Sequence, residues 1–296
     1  MRRSVNDAGS KSAAARSKAA EALGALPDWD LTTLYSGMDD PAVSDDLYRA
    51  ETEALAFDAA YKGRLDTMAR GANAAADLAE AVIRFEKLED LLGRLASYAG
   101  LVYAGDTTDP ARVKFYGDIQ EKITAISSHL LFFTLELNRI DDTLIDQAVT
   151  DAPLARYRPW LEDIRKDKPF QLEDRLEQLF HEKNMTGRAA WNRLFDETMA
   201  SLRFDIDGEK LPLEPALNLL QDTAEDNRRK ASEALAATFR DNLRTFSLIT
   251  NTLAKDKEIS DRWRGFEDVA DSRHLANRVE REVVDALVEA VRASYP

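Results

Sequence analysis

The chain has 296 residues, 44% hydrophobic and 32% charged, with 54 acidic side chains against 40 Lys and Arg and a net charge of −14. This composition supports one large domain or two ordinary ones, has no run of the about 18 apolar residues a membrane helix needs, and lacks the clustered cations that neutralise nucleic-acid phosphates. Cysteine is absent, which excludes disulfides, thiol nucleophiles and thiolate metal sites and fits a cytoplasmic protein.

The first twenty residues carry Arg2, Arg3, Lys11, Arg16 and Lys18 against Asp7, among many Ala and Ser. They lack the apolar centre of a secretory signal, so a flexible tail is expected, with a transit peptide as the alternative. Folded sequence is expected to begin near Pro27-Asp28-Trp29-Asp30-Leu31. Asp77 and Glu80 have the spacing of a capping box, and Val82, Phe85, Leu88, Leu92 and Leu95 follow at helical intervals. Asp109-Pro110 is a second helix start, because the cap side chain accepts an amide and proline has none to lose. Phe115, Ile119, Ile123, Ile126 and Leu130 continue it as a stripe. The short Ala104–Thr108 loop predicts that the two helices are antiparallel neighbours.

Shorter helices are expected over Asp142–Thr150, Leu154–Lys166, Leu172–Lys183 and Gly187–Leu202, punctuated by Pro153, Pro159, Pro169 and Gly187. A β-hairpin then interrupts the helical pattern. Asp207-Gly208 lies between short alternating runs and favours a two-residue turn, setting Phe204 opposite Leu211 and Asp205 opposite Lys210 as an apolar pair and a charge pair. A short helix over Leu213–Asp222 follows. One long helix is expected from Glu225 to about Ile259, with Ala231, Leu235, Phe239, Leu243, Phe246, Ile249 and Leu253 as its packed stripe. A last helix has an Asn277/Glu280 capping box and Val279, Val283, Leu287 and Val291 on one face. The upstream helices already have partners, so this face is left without one. A cut domain and a natural end both fit that pattern. No fixed-period repeat is present. The fold class is therefore mainly α, a multi-helix lobe with one short hairpin.

The histidines are His129, His181 and His274. His181-Glu182 begins like the zinc-peptidase motif His-Glu-x-x-His, in which one helical turn brings both histidines to the metal, but Met185 stands where the second His is needed. His129, beside Leu130, Leu131 and Phe132, reads as a core or boundary residue. His274 reads as exposed in a charged loop before a helix. The basic run Arg228-Arg229-Lys230 follows Glu225 and Asp226 by one turn, which points to local ion pairs rather than phosphate binding. Trp160, Trp191 and Trp263 are expected to pack. The many carboxylates single out no catalytic pair, and no phosphate loop or nucleophile elbow occurs. Residue chemistry alone finds no active site.

Three segments carry a family resemblance. The first is Trp29-Asp30-Leu31-Thr32-Thr33-Leu34-Tyr35. The second is Tyr157-Arg158-Pro159-Trp160-Leu161-Glu162-Asp163-Ile164-Arg165, then Lys168-Pro169-Phe170-Gln171-Leu172 and Glu177, then Thr186-Gly187-Arg188-Ala189-Ala190-Trp191-Asn192-Arg193-Leu194-Phe195-Asp196-Glu197. The third comprises the hairpin, Asp226-Asn227-Arg228-Arg229-Lys230-Ala231 with Ala234, then Thr250-Asn251-Thr252, Lys255-Asp256 and Arg262-Trp263-Arg264-Gly265-Phe266. From about residue 28 onward the chain resembles the N-terminal portion of an oligoendopeptidase of the F type, in the thimet-oligopeptidase-like group of zinc metallopeptidases.

The resemblance implies a mostly α-helical enzyme whose N-terminal lobe and catalytic region enclose a channel for short, unfolded peptides. In such enzymes His-Glu-x-x-His and a downstream Glu bind one zinc, whose water attacks the peptide bond. That motif does not occur in these 296 residues. No catalytic or metal residue carries over, substrate-binding residues stay unknown, and no zinc is expected on this chain alone. The implied organisation is a tail over 1–26, a helical lobe over 27–202, and the opening of the peptidase region over 203–296. The implied partners are short peptides, with neither nucleic acid nor membrane, and oligomeric state is open. The competing readings are a helical interaction or scaffold protein without catalytic function, and an enzyme acting through carboxylates.

Overall fold

A computed structural model describes residues 29–295, so the tail expected over residues 1–26 lies outside the described residues. The architecture is mainly α with one two-stranded antiparallel sheet. Helix α1 spans Pro41–Tyr61, started by Asp40, whose carboxylate accepts the Ala42 amide at 2.9 Å, and by Pro41 in the first turn. It buries Val43, Leu47, Ala50, Ala54 and Phe57 at three- and four-residue steps. Neither α1 nor the short α2, Leu65–Ala69, was expected from the sequence.

Helix α3 runs from Ala74 to Gly105 and packs against α1 and against α4, Pro110–Ser128. Asp109 caps α4 as expected, accepting the Ala111 amide at 2.8 Å. The expected capping box at Asp77 does not form. The Asp77 amide already bonds the Asn73 carbonyl, because Ala74-Ala75-Ala76, strong helix formers, extend α3 by one turn. Asp77 instead sits in the first turn, where a carboxylate favours the positive end of the helix dipole.

After a break at His129-Leu130 the chain continues as α5, Leu131–Arg139. Phe57 of α1, Phe85 of α3 and Phe132 and Phe133 of α5 form one aromatic cluster, with Phe57 and Phe133 edge-to-face at 5.0 Å and Trp160 against Phe85. Helices α6, Asp142–Ala148, α7, Ala152–Ala155, and α8, Arg158–Arg165, close this lobe. The single helix expected over Leu154–Lys166 is thus two. Pro159 has no amide to donate back to Ala155, and Tyr157 stands between the halves at φ −92°, ψ 0°, its hydroxyl donating to Glu86 at 2.7 Å. Arg165 donates to the Leu137 and Ile140 carbonyls, both at 2.7 Å, and so ties α8 to the end of α5.

A 3₁₀ turn, Lys168–Phe170, leads into α9, Asp174–Asn184, and then α10, Arg188–Ser201. Strands β1, Phe204–Ile206, and β2, Glu209–Leu211, pair with Phe204 opposite Leu211 and Asp205 opposite Lys210, as expected. Asp207 and Gly208 adopt φ of +56° and +84°, the positive values this tight turn demands. The Asp205 carboxylate accepts the Gly208 amide at 3.0 Å and so serves the turn. Phe204 is fully buried with Leu202, Ile206, Ala216, Ala231 and Leu235 in a second core, separate from the lobe's.

Helix α11, Leu213–Asn218, precedes the expected long helix, which is two: α12, Glu225–Asp241, and α13, Leu243–Arg264. Asn242 breaks it at φ −100°, ψ 5°, and its side-chain amide donates to the Thr238 carbonyl at 2.9 Å. An asparagine that bonds the preceding turn offers the backbone an alternative to helix. The stripe divides with it, and Leu243 is exposed rather than packed. Trp263 is also exposed, at 52%, against expectation, because it falls on the solvent side of α13.

The chain finishes with α14, Asp271–Ala276, and α15, Arg281–Ala293. The expected Asn277/Glu280 box is replaced by a different turn. The Val279 amide bonds the His274 carbonyl and the Arg278 amide bonds Leu275, with Arg278 left-handed at φ +52°. This pattern ends α14 and moves the start of α15 to Glu280. Val283, Leu287, Val288 and Val291 are exposed.

Candidate functional site

A cleft of about 1140 Å³ lies between the lobe and α13–α14. One wall is the face of α5 presenting Leu131, Thr134, Leu135 and Asn138, a spacing that puts all four on one side of a helix. The 3₁₀ turn and α9 continue it, and α13 with Phe266 forms the opposite wall.

The two walls are fastened by charge and by stacking. Arg264 donates to both Glu177 oxygens, at 2.7 and 2.8 Å, and to the Phe170 carbonyl at 3.2 Å. The Leu172 amide donates to the same carboxylate at 2.8 Å. Such a fork-to-fork pair fixes orientation as well as distance. Burial pushes the Glu177 carboxyl up, but the hydrogen bonds from Arg264 and the Leu172 amide outweigh it and hold the group below its ordinary value. The bond to Glu177 likewise raises Arg264. Beside the pair, the Phe170 and Phe266 rings stack at 4.0 Å. Arg278 makes a second bidentate pair with Asp167, at 3.1 and 3.0 Å. On α13, Lys257 pairs with Asp261 and donates to the Val269 carbonyl and Ser272 hydroxyl.

The histidines do not converge. His181 lines the cleft and lies 2.9 Å from the Ser127 hydroxyl, joining α9 to the end of α4. Glu182 accepts from Gln178 at 3.0 Å on its own helix. His129 is half-buried, its ring 3.9 Å from Asp58. His274 is half-buried on α14 itself, not exposed in a loop before a helix, because the helix starts at Asp271. Among the described residues no group of three or more His, Asp or Glu side chains is placed to hold a metal ion. The described residues do not fit zinc. The basic run is held locally, as expected: Arg229 with Asp226 and Glu233, and Lys230 with Asp226 and with Asp207 of the hairpin.

Glu177, Arg264, Phe170 and Phe266 belong to the segments that carry the family resemblance, yet nothing in the sequence gives them a role. Their meeting is a tertiary fact. Two further cleft residues also escape a sequence reading: the side-chain oxygens of Asn138 and Gln171 are buried there without a hydrogen-bond donor.

Residues 136–204, which supply much of this cleft, match the family model described as Oligopeptidase F. The crystal structure of oligoendopeptidase-F from Enterococcus faecium is similar over 84% of this chain and 48% of its own, with a TM-score of 0.68 at 20% identity. The chain resembles the N-terminal portion of an oligoendopeptidase F. A protein from Chlamydophila abortus described as a candidate peptidase is similar over 90% of this chain and 44% of its own, at a TM-score of 0.51 and 19% identity. At these identities the structural matches establish the fold alone. The chain spans about half the length of both structures. A comparison with curated proteins gives no match. No helix among the described residues is long and apolar enough to cross a membrane.

Proposed function

We propose that the chain is the N-terminal part of a zinc-dependent, cytoplasmic oligoendopeptidase that hydrolyses short peptides, supplying a helical lobe and part of the wall of the substrate channel. In this reading residues 27–202 are the lobe and residues 203–296 open the peptidase region. The zinc motif belongs to sequence beyond these residues, and no catalytic step is assigned to any side chain here. The observation that supports the reading is the cleft itself. Much of one wall comes from the oligopeptidase F segment, and Glu177, Arg264, Phe170 and Phe266, which fasten the walls, come from the segments that carry the resemblance.

The test combines metal analysis after dialysis, cleavage of quenched-fluorescent peptides, and fluorescence anisotropy with labelled peptides of about five to ten residues. The expected outcome is no stoichiometric zinc and no chelator-sensitive cleavage by the 296-residue chain, with measurable peptide binding. Chelator-sensitive cleavage with one bound zinc would overturn the assignment of catalysis to other sequence. Binding of folded proteins in preference to short peptides would favour the scaffold reading instead.

A further inference from the structure

We propose that the cleft takes anionic peptides, with Arg188 receiving a peptide carboxylate and Lys183 and Arg273 supplying the attracting field. This rests on the peptidase reading above and adds to it the charge of the substrate and the side chain that meets it.

Most charges in the cleft are answered within the chain. Glu177 is paired with Arg264, Asp261 with Lys257, and Asp167 with Arg278. Among the described residues that line the cleft, Lys183, Arg188 and Arg273 have no carboxylate at ion-pair distance, and Asp256 is the one acid without a cation. Unpaired positive charge thus prevails in the cleft of a chain whose net charge is −14. All three cations are exposed, so a ligand in the cleft can reach them.

They come from both walls. Lys183 lies in the last turn of α9 and Arg188 in the first turn of α10, while Arg273 stands on α14 across the cleft. Local helix chemistry accounts for two of them. Lys183 and Arg273 are in last turns, where a cation suits the negative end of the helix dipole. Arg188 is at the opposite end of its helix, where the dipole disfavours a cation and no acid stands in the first turn. An exposed, unpaired cation held against the dipole is explained by a partner that arrives from solution.

The chemistry selects the ligand. A guanidinium makes two parallel hydrogen bonds to a carboxylate, a geometry that an ammonium cannot copy. An unmodified short peptide carries one such group at its C-terminus, and acidic side chains supply others. Low-dielectric walls focus the field of Lys183 and Arg273 and raise the rate at which an anion enters. Apolar lining such as Leu131, Leu179 and Phe180 meets the rest of the peptide.

The probe is a heptapeptide of uncharged residues, labelled at its N-terminus, as the free acid, as the C-terminal amide, and as the amide with one Asp. Anisotropy measures its binding to the 296-residue chain, to Arg188→Gln, and to Arg244→Gln, an equal change of charge outside the cleft lining. The wild type should hold the free acid about tenfold more tightly than the amide, the worth of about one charge-assisted hydrogen bond. The preference should shrink in Arg188→Gln, persist in Arg244→Gln, and weaken at about 0.5 M salt. The melting temperature of Arg188→Gln should be unchanged or raised, because a cation leaves the positive end of α10. Recovered affinity of the Asp-containing amide supports the proposal with side-chain carboxylates as a second source. No recovery supports it with the chain terminus as the source. Equal binding of free acid and amide by the wild type overturns the proposal, needs no variant to fold, and leaves the peptidase reading in place. An undiminished preference in Arg188→Gln also overturns it. Failure of the wild type to bind any of the three peptides overturns both.

Discussion

Glu177 and Arg264 meet through two parallel hydrogen bonds of 2.7 and 2.8 Å and join the lobe to the far wall of the cleft. Glu177 is 8% exposed, so removing its partner leaves a nearly buried anion. Arg264→Ala should cost about 2 kcal/mol in urea unfolding, somewhat below the range for fully buried pairs. Arg264→Lys should recover only part of this, because a single ammonium cannot make the fork or reach the Phe170 carbonyl at the same time. Equal stability of the Lys variant and the wild type would show that charge alone, not the bidentate geometry, holds the walls.

The same pair predicts an acid response. The Glu177 carboxyl is held below its ordinary value in the folded chain, so its contribution is fully present above the unfolded-state value of about 4.3 and is lost as pH falls through the lower folded value. Glu136 behaves in the opposite sense. Burial raises its carboxyl, although the Gly63 amide donates to it at 2.7 Å. Ionised Glu136 therefore weakens the fold at neutral pH, and protonation relieves it. Glu136→Gln should raise the melting temperature at pH 7 and have little effect near pH 4. Glu177→Gln should lower it at pH 7, with the deficit shrinking toward pH 3. Melts of the two variants across this range check both signs.

The hairpin has its own core. Phe204→Ala empties a fully buried site and should cost about 3–5 kcal/mol, felt in that core rather than in the lobe. Hydrogen exchange separates the two: α12 amides should lose protection while α3 amides keep theirs. Uniform loss across α3 and α12 would mean that the two cores melt as one.

Helix α15 presents Val283, Leu287, Val288 and Val291 to solvent, with Leu287 at 63% exposure. A contiguous apolar face of this kind promotes association. Leu287→Glu combined with Val291→Lys should abolish binding of a hydrophobic dye and any concentration-dependent sedimentation, with a stability change within about 0.5 kcal/mol. Unaltered dye binding would place the adhesive surface elsewhere.

Local rules were readable wherever one residue's chemistry decides the backbone. Asp109-Pro110 and Asp207-Gly208 are such cases, and both behave as their chemistry demands. Helix ends set by competition were not. Ala74-Ala75-Ala76 carried α3 past Asp77, and Asn242 broke a stripe whose apolar spacing continues through the break. Helix α1 was missed although Asp40-Pro41 has the same start signal as Asp109-Pro110. The cleft was illegible for a different reason. Glu177 is one acid among 54, and only the packing of α13 against the lobe shows which arginine it meets.

The Glu177–Arg264 pair joins positions 87 apart, whereas every buried member of the large core lies between Tyr35 and Leu161. A ribosome makes the chain in order, at about 5–20 residues per second, so Arg264 is synthesised roughly 5–20 s after that core is complete. Through that interval the nascent lobe carries Glu177 without its guanidinium and Phe170 without its stacking partner. The cleft wall that carries Glu177 and Phe170 is therefore uncovered while the chain is still tethered to the ribosome.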